Sequence, residues 1–298
     1  MTPPHICVCI CTWRRPALLR RLLRELDRQE TGGRFTYSTV VCDNDPARSA
    51  RAVVDDCAAR STQPLTYCSE PRSNIALARN CAIQHARGDF IAFIDDDEFP
   101  MPDWLDQMRA TCLRTGASGV LGPVRPHFDV APPRWVIAGK FCERPEHPTG
   151  TVMAWSQSRT GNLLFRRAII GGISGPFRAE FGTGGEDVDF FQRLAQRGEV
   201  FVWCNEAVTY EVVPPSRWTR RYMLKRALLR GRINLKLGHA RAQALLRSAI
   251  AVPAYSLVLP GTLFFGQHVF MKYGIKFCDH LGRVLALLGI NPVKERPL

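Results

Sequence analysis

The stretch FIAFIDDDEFP, residues 90–100, places three consecutive aspartates directly after five apolar residues. An apolar run without polar alternation is typical of a strand that is covered on both faces, as in a parallel sheet between layers of helices. Ligands of open α/β sheets bind at the carboxyl ends of the strands. We therefore expect Asp95, Asp96 and Asp97 to lie at a ligand-binding edge, where their oxygens suit a hard cation that also contacts phosphate. A solvated acidic turn without a ligand is the alternative.

The sequence around this stretch alternates between strand-like and helix-like segments. Strands are indicated at residues 6–11, 39–42 and 90–94, and helices begin near Pro16 and after Asn74, which we expect to cap its helix. This order predicts an α/β fold with a mostly parallel sheet flanked by helices. The 298 residues, 46% of them hydrophobic, are enough for a large core.

The eleven cysteines are scattered and include no CxxC pair. Cys7, Cys9 and Cys11 alternate with aliphatic residues, so we expect them to line one side of the first strand as small apolar side chains. A thiolate metal site is the weaker alternative, because the sequence offers no second cluster to complete a tetrahedral set. Many free thiols indicate a reducing compartment.

A second acidic motif, FGTGGEDVDFFQRLAQRG, covers residues 181–198. Two glycines allow a close backbone approach, and Glu186 and Asp187 then fall in the first turn of a helix. Acidic residues there interact favourably with the helix dipole, so a structural role is sufficient to explain them. The same position also suits a general base beside a charged leaving group.

Six motifs in order extend the pattern: CTWRR (11–15), VVCDND (40–45), SNIALARN (73–80), FIDDDEFPMPDWL (93–105), GNLLFRR (161–167) and GGEDVDF (184–190). Together they resemble glycosyltransferase family 2. The resemblance implies a Rossmann-like GT-A fold and the transfer of a sugar from a nucleotide diphosphate donor to an acceptor hydroxyl. We expect residues 1–213 to form this catalytic domain.

The resemblance also assigns roles to individual residues. Asp95 and Asp97 match a DxD motif that holds Mn²⁺ or Mg²⁺ against the donor's diphosphate. Asp43 matches a position at the nucleobase, and Arg79 matches a basic residue near the diphosphate, with a helix-surface charge as the alternative for Arg79. The residues expected at the nucleotide sugar are Thr12, Arg14, Asp43, Arg79, Asp95 and Asp96.

Asp187 matches the catalytic base of the family, and Glu186 matches an acid that helps to hold the acceptor. The resemblance implies that Asp187 takes the proton of the acceptor hydroxyl during attack on the face opposite the nucleotide. The anomeric configuration would then be inverted. Asp189, which is two residues further along the helix, is the alternative base.

The positive charge of the chain is concentrated in residues 214–298, which contain 15 Lys and Arg residues and two acidic residues. The formal net charge of residues 1–213 is zero. Residues 217–247 alone carry ten basic and no acidic residues. This segment predicts basic amphipathic helices at an anionic membrane surface. Nucleic acid is the competing partner, but no nucleic-acid-binding motif supports it.

Residues 248–271 contain no Asp, Glu, Lys or Arg, yet Pro253, Pro260, Gly261 and Gly266 are expected to interrupt a continuous helix. A re-entrant or interfacial hairpin is favoured over a straight span, and a buried core helix is the alternative. We therefore expect residues 214–298 to place the enzyme at the cytoplasmic face of the inner membrane.

The resemblance to bacterial exopolysaccharide transferases implies a polyprenyl-diphosphate-linked saccharide acceptor. A nucleotidyltransferase and a non-catalytic membrane-binding protein are the competing functions.

Overall fold

The computed structural model describes residues 3–182, 184–237, 241–290 and 293, with the side chains of residues 233–241 outside that description. The chain forms two compact units. The first consists of Met1–Arg125 and Arg144–Glu211, and the second of Pro126–Glu143 and Val212–Pro297. The second unit thus combines an internal segment with the C-terminal region.

Strands and helices alternate through most of the chain, as the sequence predicts. The strands are β1 (His5–Thr12), β2 (Thr36–Asp43), β3 (Leu65–Ser69), β4 (Phe90–Ile94), β5 (Glu98–Pro100), β6 (Gly119–Leu121), β7 (Val124–His127), β8 (Asn162–Arg166), β9 (Phe201–Trp203) and β10 (Thr209–Val212). The helices are α1 (Pro16–Leu26), α2 (Arg51–Ala58), α3 (Ile75–His85), α4 (Trp104–Thr115), α5 (Arg134–Ala138), α6 (Glu186–Gln196), α7 (Arg220–Leu237), α8 (Arg241–Val258) and α9 (Gln267–Leu287).

The main sheet has the strand order β3-β2-β1-β4-β8-β6-β9 among the described residues. Strands β3, β2, β1 and β4 run parallel to one another, and β6 is parallel to β9, whereas β8 runs antiparallel to both β4 and β6. The prediction of a mostly parallel α/β sheet is therefore confirmed. Strands β5, β10 and β7 form a separate small sheet in that order.

The two faces of the main sheet are covered by different apolar cores. Ile6, Val8 and Ile10 of β1 pack in the core that also contains the buried leucines of α1. Cys7 and Cys9 pack on the other face, with Cys11 partly buried beside them. The alternation in β1 thus separates thiols from aliphatic side chains, as predicted, because successive side chains of a strand point to opposite faces.

Local signals position the helices that reach the ligand edge. Pro16 stands at the start of α1, where its missing N–H is tolerated. Asn74 caps α3 as predicted, because its side-chain oxygen accepts hydrogen bonds from the backbone N–H groups of Ala76 and Leu77 at 3.0 and 3.2 Å. α1 begins at Pro16, shortly after β1 ends at Thr12, and α3 begins at Ile75, shortly after β3 ends at Ser69, so the N-termini of both helices lie at the same edge of the sheet.

The second unit is mainly helical and has its own small core around Val213, Trp218 and Met271. The expected interruption at Pro253 is wrong, because α8 continues through this residue to Val258. A 3₁₀ turn over Pro260–Phe265 and Gly266, at a φ of +100°, then separate α8 from α9 as expected. Among the described residues, no helix combines the length and the hydrophobicity needed to cross a bilayer.

Candidate active site

The carboxyl ends of β1, β2 and β4 bring the predicted ligand residues together. Thr12 at the end of β1 is the register partner of Asp43 at the end of β2, and Asp95 directly follows β4. The hydroxyl of Thr12 donates a hydrogen bond to Oδ2 of Asp96 over 2.8 Å. Residues that are 84 positions apart in the sequence therefore meet at one edge of the sheet.

Asp96 and Asp97 are both buried and share one arginine. Nη1 of Arg15 donates to Oδ1 of Asp96 at 2.8 Å and to Oδ2 of Asp97 at 3.1 Å. Burial raises the pKa of Asp96, while Arg15 and the Thr12 hydroxyl oppose the rise. Arg14, the residue assigned from the resemblance, instead pairs with Asp45 at 3.2 Å and leaves 59% of its side chain exposed. Its role at the nucleotide sugar stays a prediction.

Asp43 is fully buried and organises the loop that follows β2. Its Oδ1 accepts a hydrogen bond from the backbone N–H of Asp45 at 3.0 Å. Its Oδ2 accepts from the backbone N–H of Ala50 at 2.8 Å and from the hydroxyl of Tyr67 at 3.3 Å. Asp43 thus fixes the shape of the loop at the predicted nucleobase position, and its contact with the base stays a prediction.

Arg79 connects the two acidic motifs. Its side chain is buried, so the alternative of a helix-surface charge is wrong. Its guanidinium forms an ion pair with Glu186 and lies 4.0 Å from Oδ1 of Asp95. Burial alone would lower the pKa of Arg79, but the two carboxylates outweigh this effect and raise the pKa above its usual value. The guanidinium of Arg79 therefore lies between the DxD motif and the start of α6.

Two carboxylates of the cleft, Asp95 and Glu98, have raised pKa values. Loss of hydration raises the pKa of Asp95 to about 6, although about half of the side chain is open to solvent. Burial raises the pKa of Glu98 well above its usual value, and Asp95 adds to that rise. Oε1 of the buried Glu98 has no hydrogen-bond partner among the described residues. This set of oxygen ligands fits a hard divalent cation, which would relieve the repulsion.

The GGED motif begins α6 as predicted. Gly184 and Gly185 have φ values of +132° and +97°, which favour glycine, and Glu186 and Asp187 follow in the first turn. Oδ1 of Asp187 accepts a hydrogen bond from the backbone N–H of Val188 at 2.8 Å. The carboxylate is less than one-fifth exposed. Asp187 is thus held at the helix N-terminus with its position fixed by the backbone.

Asp189, the alternative base, has a different environment. Its carboxylate pairs with Arg193 at 2.8 Å and with Arg178 at 3.4 Å. Each carboxylate oxygen of Asp189 faces a guanidinium, so its oxygens are less accessible to an acceptor hydroxyl. The geometry therefore favours Asp187 over Asp189 as the base.

A cavity of about 340 Å³ is lined by residues of the first unit that include Arg144, His147, Arg159 and Trp203. Nε of Arg159, one of its lining residues, lies 3.9 Å from Oδ2 of Asp187. The rings of His147 and Trp203 meet edge to face in the same wall, with 5.3 Å between their centroids. A cavity that combines aromatic surface with a few polar groups is the usual form of a small-ligand site.

The described residues also contain one group of close thiols. The sulfur atoms of Cys42, Cys68 and Cys81 lie within 4.8 Å of one another. Cys42 and Cys68 are register partners on β2 and β3, and Cys81 lies on α3. This group differs from the CxCxC segment of β1 that the sequence suggested, and the Cys81 thiol lies 3.9 Å from the carbonyl oxygen of Ser69.

The sequence model described as "Glycosyl transferase family 2" matches residues 7–169. The chain belongs to glycosyltransferase family 2. This glycosyltransferase is 33% identical over 305 residues to the succinoglycan biosynthesis protein ExoM of Rhizobium meliloti (strain 1021), covering 98% of this chain and 95% of ExoM. It is also 26% identical over 242 residues to the hyaluronan synthase of Pasteurella multocida, covering 70% of this chain but 25% of the synthase.

Solved structures support the fold of this family 2 glycosyltransferase. The mannosyltransferase PcManGT from Pyrobaculum calidifontis, in complex with GDP-Man and Mn²⁺, has a TM-score of 0.65 at 18% identity, with 98% of this chain and 89% of that chain covered. TarS 1-349 from S. aureus, in complex with UDP, has a TM-score of 0.56 at 15% identity, with 99% and 95% covered. The GT-A fold that the resemblance implied is confirmed.

The structure brings most of the predicted site residues of this glycosyltransferase to one cleft and adds others. Arg15 lies in the quoted CTWRR motif, but the sequence does not show which of its two arginines turns inward. Glu98 directly follows the DxD motif, where its burial was not apparent. Arg144 and Arg159, which both line the cavity, come from a region without strand or helix periodicity, so no sequence signal pointed to them.

Proposed function

We propose that this family 2 glycosyltransferase moves a sugar from a UDP-sugar to a hydroxyl of a lipid-linked saccharide during the synthesis of an exopolysaccharide. The observation that carries the proposal is the position of Arg79, between Asp95 of the DxD motif and Glu186 of the GGED motif. The guanidinium of Arg79 thus connects the predicted diphosphate position with the predicted acceptor position. Similarity to ExoM over nearly the whole chain supports the exopolysaccharide pathway.

A divalent cation, Mn²⁺ or Mg²⁺, is part of this proposal. Asp97 and Asp95 would hold it, and the unpartnered Oε1 of Glu98 adds negative charge to the same cleft. When bound, such a cation stabilises the negative charge of a departing diphosphate as a Lewis acid. Arg79 adds a fixed positive charge from the protein itself, and Arg15 keeps Asp96 and Asp97 in place.

Asp187 acts as the general base in the proposed reaction. It takes the proton of the acceptor hydroxyl while the acceptor oxygen forms a bond to the anomeric carbon. The bond between that carbon and the phosphate oxygen breaks, and the nucleoside diphosphate leaves with the electron pair. Attack from the opposite face gives a glycoside of inverted configuration, and the proton passes from Asp187 to water.

The cavity lined by Arg159, whose Nε lies 3.9 Å from Oδ2 of Asp187, is proposed to hold the sugar that carries the acceptor hydroxyl. Trp203 offers an apolar wall for a sugar ring, while Arg159 and His147 offer hydrogen-bonding groups. A volume of about 340 Å³ is within the usual range for a small-ligand site. Correct positioning of the hydroxyl at Asp187 supplies much of the rate acceleration in such a transfer.

Nucleotide release from several donors tests this function. The full-length protein is incubated with UDP-glucose, UDP-galactose, UDP-GlcNAc or GDP-mannose and with polyprenyl-diphosphate-linked saccharides, in Mn²⁺, Mg²⁺ or EDTA. We expect acceptor-dependent release from one UDP-sugar, loss of release in EDTA and in Asp97→Ala, and an inverted linkage in the product by NMR. Release that is unaffected by EDTA, or a product of retained configuration, would overturn the proposal.

A further inference from the structure

The turn between α8 and α9 exposes a continuous apolar surface. It is formed by residues 257–265, which we call the apex. Within it, Leu257 is 82% exposed, Phe264 93% and Phe265 74%, and Val258 and Leu263 are also more than half exposed. Isolated exposed apolar residues are common in soluble proteins, but contiguous aromatic and aliphatic side chains mark an interaction site.

Helix α8 also exposes apolar side chains to solvent and buries a polar one. Leu246 and Ile250 are each 65% exposed on its surface, whereas Ser248 between them is fully buried. The Ser248 hydroxyl donates to the carbonyl of Ala244 at 2.8 Å and lies 3.0 Å from Nδ1 of His280 on α9. A helix on the surface of a soluble domain normally turns its apolar stripe inward, so α8 favours an apolar environment outside the protein.

The apex stands on packed helices. Tyr255 of α8 and Tyr273 of α9 meet edge to face with 6.0 Å between ring centroids. Further along α9, Gly282 lies directly against the backbone of Leu228 on α7, with no room for a larger residue. The exposed phenylalanines are therefore presented on a supported helical pair.

Two hydroxyl groups at the apex are satisfied within the chain. The hydroxyl of Ser256 donates to the carbonyl of Val252 at 2.9 Å, and the hydroxyl of Thr262 donates to the carbonyl of Leu259 at 2.6 Å. Pro260 has no N–H to leave unpaired. Internal pairing is required of a segment that enters lipid, where no water replaces a lost hydrogen bond, whereas a protein partner would be bound partly through free polar groups.

Basic residues border this uncharged region. Residues 248–271 lack Asp, Glu, Lys and Arg, and Arg247 and Lys272, directly before and after them, are both exposed. Further exposed basic residues follow on α9 at Lys276 and on α7 at Arg226. Such side chains extend to the level of lipid headgroups and are attracted to anionic lipids.

We propose that the apex inserts into the interfacial layer of an anionic membrane, with Arg247 and Lys272 at the headgroups. The inference goes beyond the proposed reaction and rests only on the second unit. It gives a lipid-linked acceptor a physical route to the enzyme, and vesicle binding can be measured without any substrate.

Vesicle flotation and tryptophan fluorescence test the apex. The full-length protein and Phe264→Ser/Phe265→Ser are mixed with phosphatidylcholine vesicles that contain or lack phosphatidylglycerol. Leu113→Ser/Val152→Ser is the matched control, since it replaces two apolar residues of the first unit that are 49% and 66% exposed. We expect the apex variant to reduce the partition coefficient to anionic vesicles at least ten-fold and the control to leave it unchanged.

The variant Phe264→Trp measures how deeply residue 264 enters the bilayer. The original chain has six tryptophans, so the emission of residue 264 is taken as the difference between the variant and the original chain. We expect this difference spectrum to shift to shorter wavelength with anionic vesicles and to be quenched by lipids brominated near the headgroup end of the acyl chain. Flotation that is equal for Phe264→Ser/Phe265→Ser and the original chain would overturn the proposal, as would an unchanged Phe264→Trp spectrum. If the double serine variant instead lowers the molar mass in light scattering while flotation is unchanged, the apex binds a second copy and the membrane assignment is wrong.

Discussion

Arg79 of α3 and Glu186 of α6 form a buried ion pair across 107 residues of sequence. Asp95 lies 4.0 Å from the same guanidinium, and the face of Phe177 lies 5.5 Å from it. The pair joins the helix that follows β3 to the helix that begins with the candidate base. Its removal should therefore affect both the stability of the fold and the alignment of the site.

Arg79→Met is expected to lower the free energy of unfolding by about 3 kcal/mol, because it leaves Glu186 buried without its partner. Arg79→Met/Glu186→Leu should recover most of that loss, since neither charge then remains buried. Activity should be lost in both variants, because the cation near the diphosphate is absent. Urea denaturation and nucleotide release measure the two effects. Equal destabilisation in the single and double variants would contradict this account of the pair.

Asp187→Asn should reduce turnover by about 10²- to 10⁴-fold, the usual contribution of a general base. The amide keeps the size of the side chain and can still accept the hydrogen bond from Val188, so the Kd for UDP in Mn²⁺ should change little. Asp189→Asn is the matched control on the same helix turn. It should lower stability by weakening the pairs with Arg178 and Arg193, yet retain most of its turnover. The assignment fails if Asp189→Asn loses more turnover than Asp187→Asn.

Arg15 and Arg14 should differ sharply although they are adjacent. Arg15→Met leaves two buried aspartates without their shared donor, so we expect the affinity for UDP in Mn²⁺ to fall about ten-fold, equivalent to about 1.4 kcal/mol. Arg14→Met removes a pair in which Arg14 itself is 59% exposed, and Asp45 keeps the hydrogen bond from the backbone N–H of Ala47, so we expect the affinity for UDP to change little. Isothermal titration of UDP measures both. A larger loss in Arg14→Met would restore the role that the resemblance gave it.

The second unit should lose stability in mild acid through His280. Burial lowers the pKa of this imidazole, Arg283 lowers it further, and Asp279 opposes the change. On α8 the ring faces the Ser248 hydroxyl and the ring of Tyr255. On α7, Arg230 pairs with Asp279 and so weakens its attraction for a protonated ring.

Because the pKa of His280 is lower in the folded state, the unfolded state binds the proton more readily. The neutral His280 therefore makes its full contribution to the free energy of unfolding above about pH 6.5. That contribution decreases as the pH falls below this value. The Tm of the original chain should fall more between pH 7.5 and 5.5 than that of His280→Asn. His85→Asn, at an exposed position on α3, is the control. Parallel Tm curves for His280→Asn and the original chain would show that this histidine is not responsible.

The sequence predicted the features that follow from short-range pattern. The apolar run of β4, the alternation in β1, the cap at Asn74 and the start of α6 each depend on a few adjacent residues. The register of parallel strands then follows from the fold class, which is why Thr12 and Asp43 meet at one edge. Family resemblance supplied the roles, because no local pattern distinguishes a catalytic carboxylate from a helix-capping one.

Features that depend on long-range packing were not predictable. Two adjacent arginines in CTWRR turn in different directions because Arg14 has a φ of +56°, which no pattern of residue types indicates. Pro253 remains inside α8, since packing against α9 outweighs the local cost of a proline. The three thiols of Cys42, Cys68 and Cys81 come from three separate elements and meet only in the folded chain.

Gly161 gives a direct test of the acidic cleft. A Cβ at this position would lie 2.8 Å from Oε1 of Glu98 and 3.2 Å from Oδ2 of Asp95. Gly161→Ala must therefore displace carboxylates that we propose to lie beside the cation, and the Mn²⁺ concentration for half-maximal activity should rise several-fold. Gly261→Ala is the control, because a Cβ at Gly261 meets no atom within 4 Å. An unchanged Mn²⁺ requirement in Gly161→Ala would place the metal away from Asp95 and Glu98, because the added methyl group cannot be accommodated without moving them.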